Sequence, residues 1–272
     1  MKKLSLLFLA LALLFAIVGC CNDTVAPPAE DTFNGTDVAD AASFRAAVAN
    51  GGQIRLTQDI ALEDYIEISE GVEIFGNGKT LSIACAQPNF GASGIYITSS
   101  DDVTIQNLNI AASSAYGAQM ALIYLNGCSG DVTLENLFLD CNPENAYDNP
   151  AFGIQTTYDV TSQIQIDGCT INNAKYGMYF NSISNSNVVN NTINNTMYNG
   201  IVVAADNPNY TCENVVVGNN ILTNVATQNY PIVQYNCGIY IGRYVDNVSY
   251  WGNYVQLSSN STDGVGIYVE QQ

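Results

Sequence analysis

Short apolar stretches, most of them led by a glycine, recur along most of the chain. The leading positions are Gly94, Leu122, Gly153, Gly177, Gly200, Gly238 and Gly266, at steps of 23 to 38 residues. The residues one and three places after each leading position are apolar in nearly every unit, and the residue between them is mostly polar or aromatic. Such alternation places one face of a short strand in a core. Its return at a period of a few tens of residues predicts a solenoid.

A second apolar element follows six of these units, and its third residue is always Asn or Gly. These elements begin at Ile105, Leu134, Ile166, Val188, Val217 and Tyr250. Asn and Gly tolerate left-handed backbone angles, so the third place predicts a tight bend between two strands. Each turn of the solenoid is therefore expected to contain three short strands. The fourth place holds Asn191, Asn220 and Asn253 in successive units, and Leu108 and Leu137 further upstream.

The segment "DAASFRAAVANGG" from Asp40 to Gly52 predicts a short helix with Phe44, Ala47 and Val48 on one face. Helix and repeats together resemble the right-handed parallel β-helix of the pectate-lyase-like superfamily, over roughly residues 44–272. The resemblance implies that the helix caps the first rung, that residues 71–83 form the first full turn, and that the asparagines stack in a ladder. The expected fold class is all-β, a single-stranded right-handed parallel β-helix. A β-sandwich is disfavoured because hairpin spacing is missing.

The first residues follow another pattern. Lys2 and Lys3 precede an apolar run that ends at Val18, which predicts a secretion signal rather than a membrane span. The motif Ile-Val-Gly-Cys at 17–20 resembles the lipobox of bacterial lipoproteins, which implies a lipid on Cys20 as membrane anchor. The expected location is extracytoplasmic, at the outer membrane or cell surface; an ordinary signal peptide is the alternative. The predicted organisation is a signal peptide at 1–19, a polar tether at 20–38 and a β-helix domain at 39–272.

Charge and composition limit which classes of partner and cofactor are expected. Without the two leader lysines, five basic residues stand against 25 acidic ones, a formal charge of −20. Nucleic acid and anionic lipid surfaces bind basic footprints, so neither is an expected partner. The chain has no histidine, the commonest general base and zinc ligand. No cofactor is expected, and calcium is the one metal considered. The cysteines beyond residue 21 lack zinc-ribbon spacing and are expected to be mostly small buried residues.

The residue between the two inward positions of each unit should point to solvent. These residues are Tyr96, Tyr124, Gln155, Tyr179, Val202, Tyr240 and Tyr268. Two interpretations of the tyrosine stripe remain open: ring contacts that stabilise the sheet, or a platform for sugars. Loops at 140–152 and 223–237 are longer than the two between them, so they are expected to wall a groove. The floor of that groove includes Lys175, Tyr176, Tyr198 and Asn199, and the two tyrosines join the stripe as predicted ligand-binding residues.

Enzymatic chemistry is the competing hypothesis. Pectate-lyase-like proteins use calcium held by aspartates and a lysine or arginine as base. This part of the resemblance implies Lys175 or Arg243 as base, with Asp159 and Asp206 just past strand ends, although no motif of these enzymes is present as a whole. The candidates for calcium are Asp140, Glu144 and Asp148, although the favoured interpretation of these residues is solvated loop charges.

The sequence favours a non-catalytic, envelope-anchored β-helix protein that recognises a carbohydrate or other surface ligand through its tyrosine stripe. A polysaccharide lyase or other carbohydrate-active enzyme is one alternative, and a structural or adhesive surface protein is another. The final unit, "GVGIYVEQQ", shows no capping helix. An uncapped solenoid end exposes core and strand edges. We therefore expect either further chain beyond this end or a protein partner docked on it.

Overall fold

The computed structural model describes residues 33–84, 94–113, 121–141, 152–157, 159–205 and 207–270. Through these residues the chain winds as a parallel β-helix, in which each turn gives one strand to each of three sheets, here named A, B and C. Strands in all three sheets pair in parallel. The predicted solenoid of three short strands per turn is therefore confirmed, and the described part of the chain makes eight such turns.

Sheet A comprises β1 (Thr36–Val38), β2 (Gly52–Leu56), β5 (Val72–Phe75), β8 (Val103–Gln106), β11 (Val132–Glu135), β14 (Ile164–Asp167), β17 (Asn187–Val189), β20 (Cys212–Gly218) and β23 (Val245–Trp251). Sheet B comprises β3 (Ile60–Leu62), β6 (Thr80–Ile83), β9 (Asn109–Ala112), β12 (Phe138–Asp140), β15 (Thr170–Asn172), β18 (Thr192–Asn194), β21 (Ile221–Val225) and β24 (Tyr254–Leu257). Sheet C comprises β4 (Ile66–Ile68), β7 (Ile95–Ile97), β10 (Ala121–Leu125), β13 (Phe152–Thr156), β16 (Tyr176–Phe180), β19 (Ile201–Val203), β22 (Cys237–Ile241) and β25 (Val265–Val269). The helix α1 spans Ala41–Asn50, and a 3₁₀ helix spans Val233–Tyr235.

The bends between sheets A and B have the left-handed residue that the sequence predicted. Asn107, Asn136, Asn190 and Asn219 have φ between 50° and 57°. Glycine takes the same place in two further bends, as Gly168 and Gly252. Because Asn and Gly bear this conformation at low cost, the chain can turn within two residues from one sheet to the next.

The asparagines at the next place of the bend form the expected ladder. Asn191 Nδ2 donates to Asn220 Oδ1 at 3.0 Å, and Asn220 Nδ2 donates to Asn253 Oδ1 at 3.0 Å. Each amide also donates to a backbone carbonyl, for example Asn220 Nδ2 to Val188 O at 2.9 Å. In the upstream turns Leu108 is buried at this place, so an apolar side chain fills the same bend without a ladder.

Aliphatic side chains fill the inside of the coil as the alternation predicted. Ile95, Ile97, Ile123 and Leu125 are typical inward residues and are fully buried. Five cysteines of the described chain, Cys128, Cys141, Cys169, Cys212 and Cys237, are buried and form no disulfide. Their expected part as small buried residues is confirmed; Cys85 lies outside the described residues.

The leading glycine of each unit is a consequence of this packing. A Cβ atom on Gly177 would lie 2.5 Å from Gly200 O and 2.7 Å from Ile193 Cγ2. Carbon atoms do not approach this closely, because repulsion rises steeply below van der Waals contact. The second residue of β16 therefore has no side chain, and Ile193 of sheet B occupies the space.

Helix α1 covers the first turn, as the resemblance implied. Asp40 Oδ1 accepts from Ser43 N at 2.8 Å and caps the helix. Phe44, Ala47 and Val48 are buried on one helix face. Among the described residues, no helix is long and apolar enough to cross a bilayer.

Two boundaries differ from the sequence prediction. A complete turn, β2 to β4, precedes residues 71–83, which were expected to form the first turn. The sequence signal was weak there, because β4 has no leading glycine and places Glu67 where other turns place tyrosine. The tether was expected to end at residue 38, but β1 pairs with β2 from Thr36 onward. The compact unit begins at Gly35.

Candidate functional site

The tyrosine stripe lies on the outer face of sheet C and is half-buried. Tyr96 and Tyr124 are neighbours in register and stack at 5.7 Å between ring centroids, with 18° between their planes. Tyr240 and Tyr268 stack in the same way at 5.9 Å and 15°. In these pairs one ring face is turned toward the neighbouring ring, so a ligand meets ring edges and hydroxyl groups. The sheet-stabilising contacts anticipated from the sequence are thus present.

Val202 departs from the predicted outward pattern because it is buried, with 1% of its surface exposed. It lies in register between Tyr179 and Tyr240, one turn from each. Both neighbours have much larger side chains than valine. Val202 therefore presents almost no surface to solvent between the two tyrosines of the stripe.

A second line of rings lies beside the stripe, and we name Phe152, Tyr176 and Tyr198 the aromatic row. Phe152 and Tyr176 stack at 5.3 Å and 17°, and Tyr176 meets Tyr198 at 5.1 Å and 34°. The three rings come from three successive turns, so the row runs along the solenoid axis. Tyr179 joins it edge-on, 5.4 Å from Phe152 and 5.5 Å from Tyr176.

The aromatic row ends against residues 226–236, which we name the wall loop. Its Tyr230 and Tyr235 lie 6.0 Å and 6.5 Å from Tyr198, at interplanar angles of 85° and 62°. The wall expected in this loop is therefore formed by aromatic residues. The other expected wall, 140–152, lies largely outside the described residues.

Phe152, Tyr230 and Tyr235 were not among the predicted ligand-binding residues. Phe152 and Tyr176 directly precede a leading glycine, a column that is aromatic in only two turns and so gives no periodic signal. The tyrosines of the wall loop occur once each. Their placement follows from how the loop folds, which the repeat does not determine.

Asn199 was expected on the groove floor, but it lies buried beneath the wall loop. It occupies the place before Gly200 that corresponds to Tyr176 in the preceding turn, and only 1% of its surface is exposed. Its Nδ2 donates to Gln234 O at 3.0 Å and to Cys237 O at 2.8 Å. Asn199 Oδ1 is buried without a hydrogen-bond partner. The side chain therefore holds the loop instead of forming open surface.

Charge is unevenly distributed over the three sheets. The strands of sheet A carry six acidic residues, Asp37, Glu73, Glu135, Asp167, Glu213 and Asp246. The strands of sheet C carry one, Glu67, in the first turn. The strands of sheet B likewise carry one, Asp140, so the aromatic surface lies on one of the two weakly acidic faces of a strongly acidic chain. Burial, followed by the phenol groups around it, raises the pKa of Tyr176 above its ordinary value, so this phenol is uncharged at neutral pH.

The candidate catalytic residues do not come together. Lys175 precedes β16 at one edge of sheet C, whereas Arg243 and Asp159 follow strands at the other edge. Arg243 Nε lies 2.7 Å from Glu270 Oε1, and this hydrogen bond raises the pKa of the arginine, which opposes its use as a base. Asp206 lies outside the described residues.

Of the three residues predicted as possible calcium ligands, the structure describes only Asp140. Glu144 and Asp148 lie outside the described residues, and Asp140 accepts from Asn173 Nδ2 at 2.9 Å. Within the described ranges, no group of three or more metal-ligating side chains lies together.

The last described turn exposes core positions. Ile267 and Val269 are 36% and 42% exposed, whereas Ile239 and Ile241, their partners one turn earlier, are buried. Whether a cap or further chain covers this turn stays a prediction. Docking of a partner protein on it stays a prediction.

Comparison with known proteins places the fold in a family. The sequence profile described as "Right handed beta helix region" matches residues 66–221, more than half of the chain. No curated protein matches the chain in a sequence search.

Two solved structures are similar over 86% of this chain. The SRRP of L. reuteri 53608 is 12% identical with a TM-score of 0.39, over 99% of that chain. The Streptococcus pneumoniae surface protein and adhesin PfbA is 9% identical with a TM-score of 0.33, over 100% of that chain. The three parallel sheets agree with the β-helix architecture that the profile describes, and the chain belongs to the right-handed β-helix family.

Proposed function

We propose that this protein is anchored in the cell envelope and binds a carbohydrate on the outer face of sheet C, without catalysing a reaction of that carbohydrate. The observation that carries the proposal is the aromatic row with Tyr179 at its side. Four rings lie within 5.1–5.5 Å of their neighbours. Tyrosine combines an apolar ring with a hydroxyl that donates and accepts, which suits the CH faces and hydroxyl groups of sugars.

The charge distribution supports an uncharged ligand. A polyanion approaching this chain meets a formal charge of −20 after removal of the leader. A neutral glycan is not repelled, and sheet C offers it a surface whose strands carry a single acidic side chain, Glu67. Apolar contacts with the ring edges and hydrogen bonds to the phenol hydroxyl groups then supply the affinity, and no metal ion is needed.

The absence of turnover is the second part of the proposal. Lys175 and Arg243 lie at opposite edges of sheet C and two turns apart. General acid–base catalysis requires its groups within hydrogen-bond reach of one reacting centre. Incubation of the protein with uronate polymers and calcium, followed by absorbance of unsaturated products, tests this part. Product formation would overturn it.

Binding is tested with purified protein on an array of neutral polysaccharides. Truncation of Tyr176 or Tyr198 to alanine removes one ring of the aromatic row, and we expect a loss of about 2 kcal/mol, roughly thirty-fold in affinity. Tyr254→Ala is the matched control, because this tyrosine is 57% exposed on sheet B. If no neutral glycan binds the unmodified protein, or if both row variants bind like the control, the proposal is wrong.

Anchoring needs a separate experiment, because Cys20 lies outside the described residues. The lipobox resemblance is what supports it. In a host that lipidates such proteins, the full chain should sediment with membranes, and Cys20→Ser should release it to the soluble fraction. A variant that still sediments with membranes would contradict the lipid anchor.

A further inference from the structure

We propose that the aromatic row binds the end of a glycan chain, and that Asn199 is the positioning residue that holds the wall closing this site. The inference rests on the proposed carbohydrate function and specifies which part of the polymer is read. It follows from the geometry at the last ring of the row.

The aromatic row runs along the solenoid axis and ends at Tyr198. Phe152, Tyr176 and Tyr198 follow the solenoid axis over three turns, with centroid spacings of 5.3 Å and 5.1 Å. At the next turn the ring planes change orientation. Tyr230 is nearly perpendicular to Tyr198, at 85°, and Tyr235 stands at 82° to Tyr230. An extended chain that lies along the row therefore meets rings set across its path.

The wall is built into the fold by several hydrogen bonds. Ala226 N donates to Tyr198 O at 2.9 Å, and Gln228 N donates to Met197 O at 3.0 Å. These bonds fix the start of the wall loop to the turn that carries the last ring of the row. At the other end, Asn236 is buried, donates to Asn229 Oδ1 at 3.0 Å and accepts from Ser261 Oγ at 2.7 Å.

Asn199 connects the wall to the sheet beneath it. Its amide donates to Gln234 O and Cys237 O, the residues on either side of Tyr235 and Asn236. One turn earlier the same place carries Tyr176, whose ring stands on the outer face of the sheet. A ring at Asn199 would occupy the space that the wall loop fills. The switch from aromatic residue to asparagine therefore ends the row and admits the loop.

The buried Oδ1 of Asn199 supports this assignment. It has no hydrogen-bond partner, although its residue is 99% covered. A buried acceptor without a partner is unfavourable, and native proteins keep few of them. Here the amide is retained for its two donor hydrogens, which bind Gln234 O in the wall loop and Cys237 O at the start of β22, where the loop ends.

The first experiment separates recognition of chain ends from recognition of chain interiors. A soluble linear β-glucan, a neutral polymer, is compared with its own partial hydrolysate at equal mass, and chain ends are counted by reducing-end assay. We expect a hydrolysate with about ten times as many ends to bind about ten times as tightly per gram. Equal or weaker binding per gram overturns the proposal while leaving carbohydrate recognition intact. No binding to either sample overturns both.

The second experiment tests Asn199 without any glycan. Hydrogen exchange of residues 226–236 is compared between the unmodified protein, Asn199→Ala and Asn209→Ala, an exposed asparagine in the turn at 207–210. We expect at least ten-fold faster exchange in the wall loop of Asn199→Ala only, with unchanged exchange in β13 and β16. An unchanged wall loop overturns the assignment of Asn199, and a variant that exchanges faster everywhere assigns it to general stability instead.

Discussion

The asparagine ladder makes a quantitative prediction about stability. Asn220 is fully buried, and its side chain takes part in four hydrogen bonds. Its Nδ2 donates to Val188 O and Asn253 Oδ1, and its Oδ1 accepts from the backbone and side-chain nitrogens of Asn191, all at 2.9–3.0 Å. Replacement by alanine removes all four and leaves Asn191 N and Val188 O buried without these partners.

The expected cost follows from these contacts. A net contribution of about 0.5–1.5 kcal/mol per hydrogen bond gives a loss of about 2–6 kcal/mol in the free energy of unfolding. We expect Asn220→Ala to lie near the middle of this range. The matched control is Asn224→Gly. It removes an exposed hydrogen bond from Asn224 Nδ2 to Asn195 Oδ1 and preserves the left-handed backbone conformation. Water replaces that bond, so the control should lose less than about 1 kcal/mol.

Urea unfolding followed by tyrosine fluorescence measures both variants. Because single turns of a solenoid can open locally, hydrogen exchange at the amides of Asn191 and Asn220 gives a second readout. A loss below about 1 kcal/mol in Asn220→Ala, or an equal loss in the two variants, would refute the idea that the ladder stabilises these turns.

Three further predictions concern packing and ionisation. Gly177→Ala should cost about 1–3 kcal/mol in unfolding free energy, whereas Gly266→Ala, whose Cβ would meet its nearest neighbour at 3.7 Å, should be nearly neutral; equal melting temperatures would contradict this. Burial first, and then the hydrogen bond to Glu270, raise the pKa of Tyr240, so Glu270→Gln should lower it in a spectrophotometric titration of the phenolate, and an unchanged pKa would refute the coupling. Burial raises the pKa of Cys128 to about 11, so a charged thiol reagent at pH 8 should label it only after unfolding, as peptide mapping would show; labelling of the native protein would place this thiol at the surface.

Much of the coil could be predicted because its geometry repeats. Alternating residues such as Ile95 and Ile97 must face inward in every turn, and Asn107 or Asn190 must bear the bend. Each turn supplies another instance of the same constraint, which makes the pattern visible in one sequence. The first turn was missed where the pattern is broken, at Glu67 in β4.

The candidate site was only partly predictable. Tyr176 and Tyr198 were expected together because two long loops flank two short ones. Phe152, Tyr230 and Tyr235 complete the site, but each lies in a loop or beside one. Loop conformation depends on contacts with a surface that exists only after the coil has formed, and no period in the sequence encodes it.

The sequence by itself determined the coil, its inward and outward faces and the presence of tyrosines along sheet C, because these follow from strand periodicity and from backbone angles that few residues accept. Only the tertiary structure decided that Tyr96 and Tyr124 turn ring faces toward each other, that Asn199 lies beneath a loop, and that Tyr230 and Tyr235 close the aromatic row. These features arise where segments distant in the chain compete for the same space, and hydrogen bonds and ring packing choose the arrangement there.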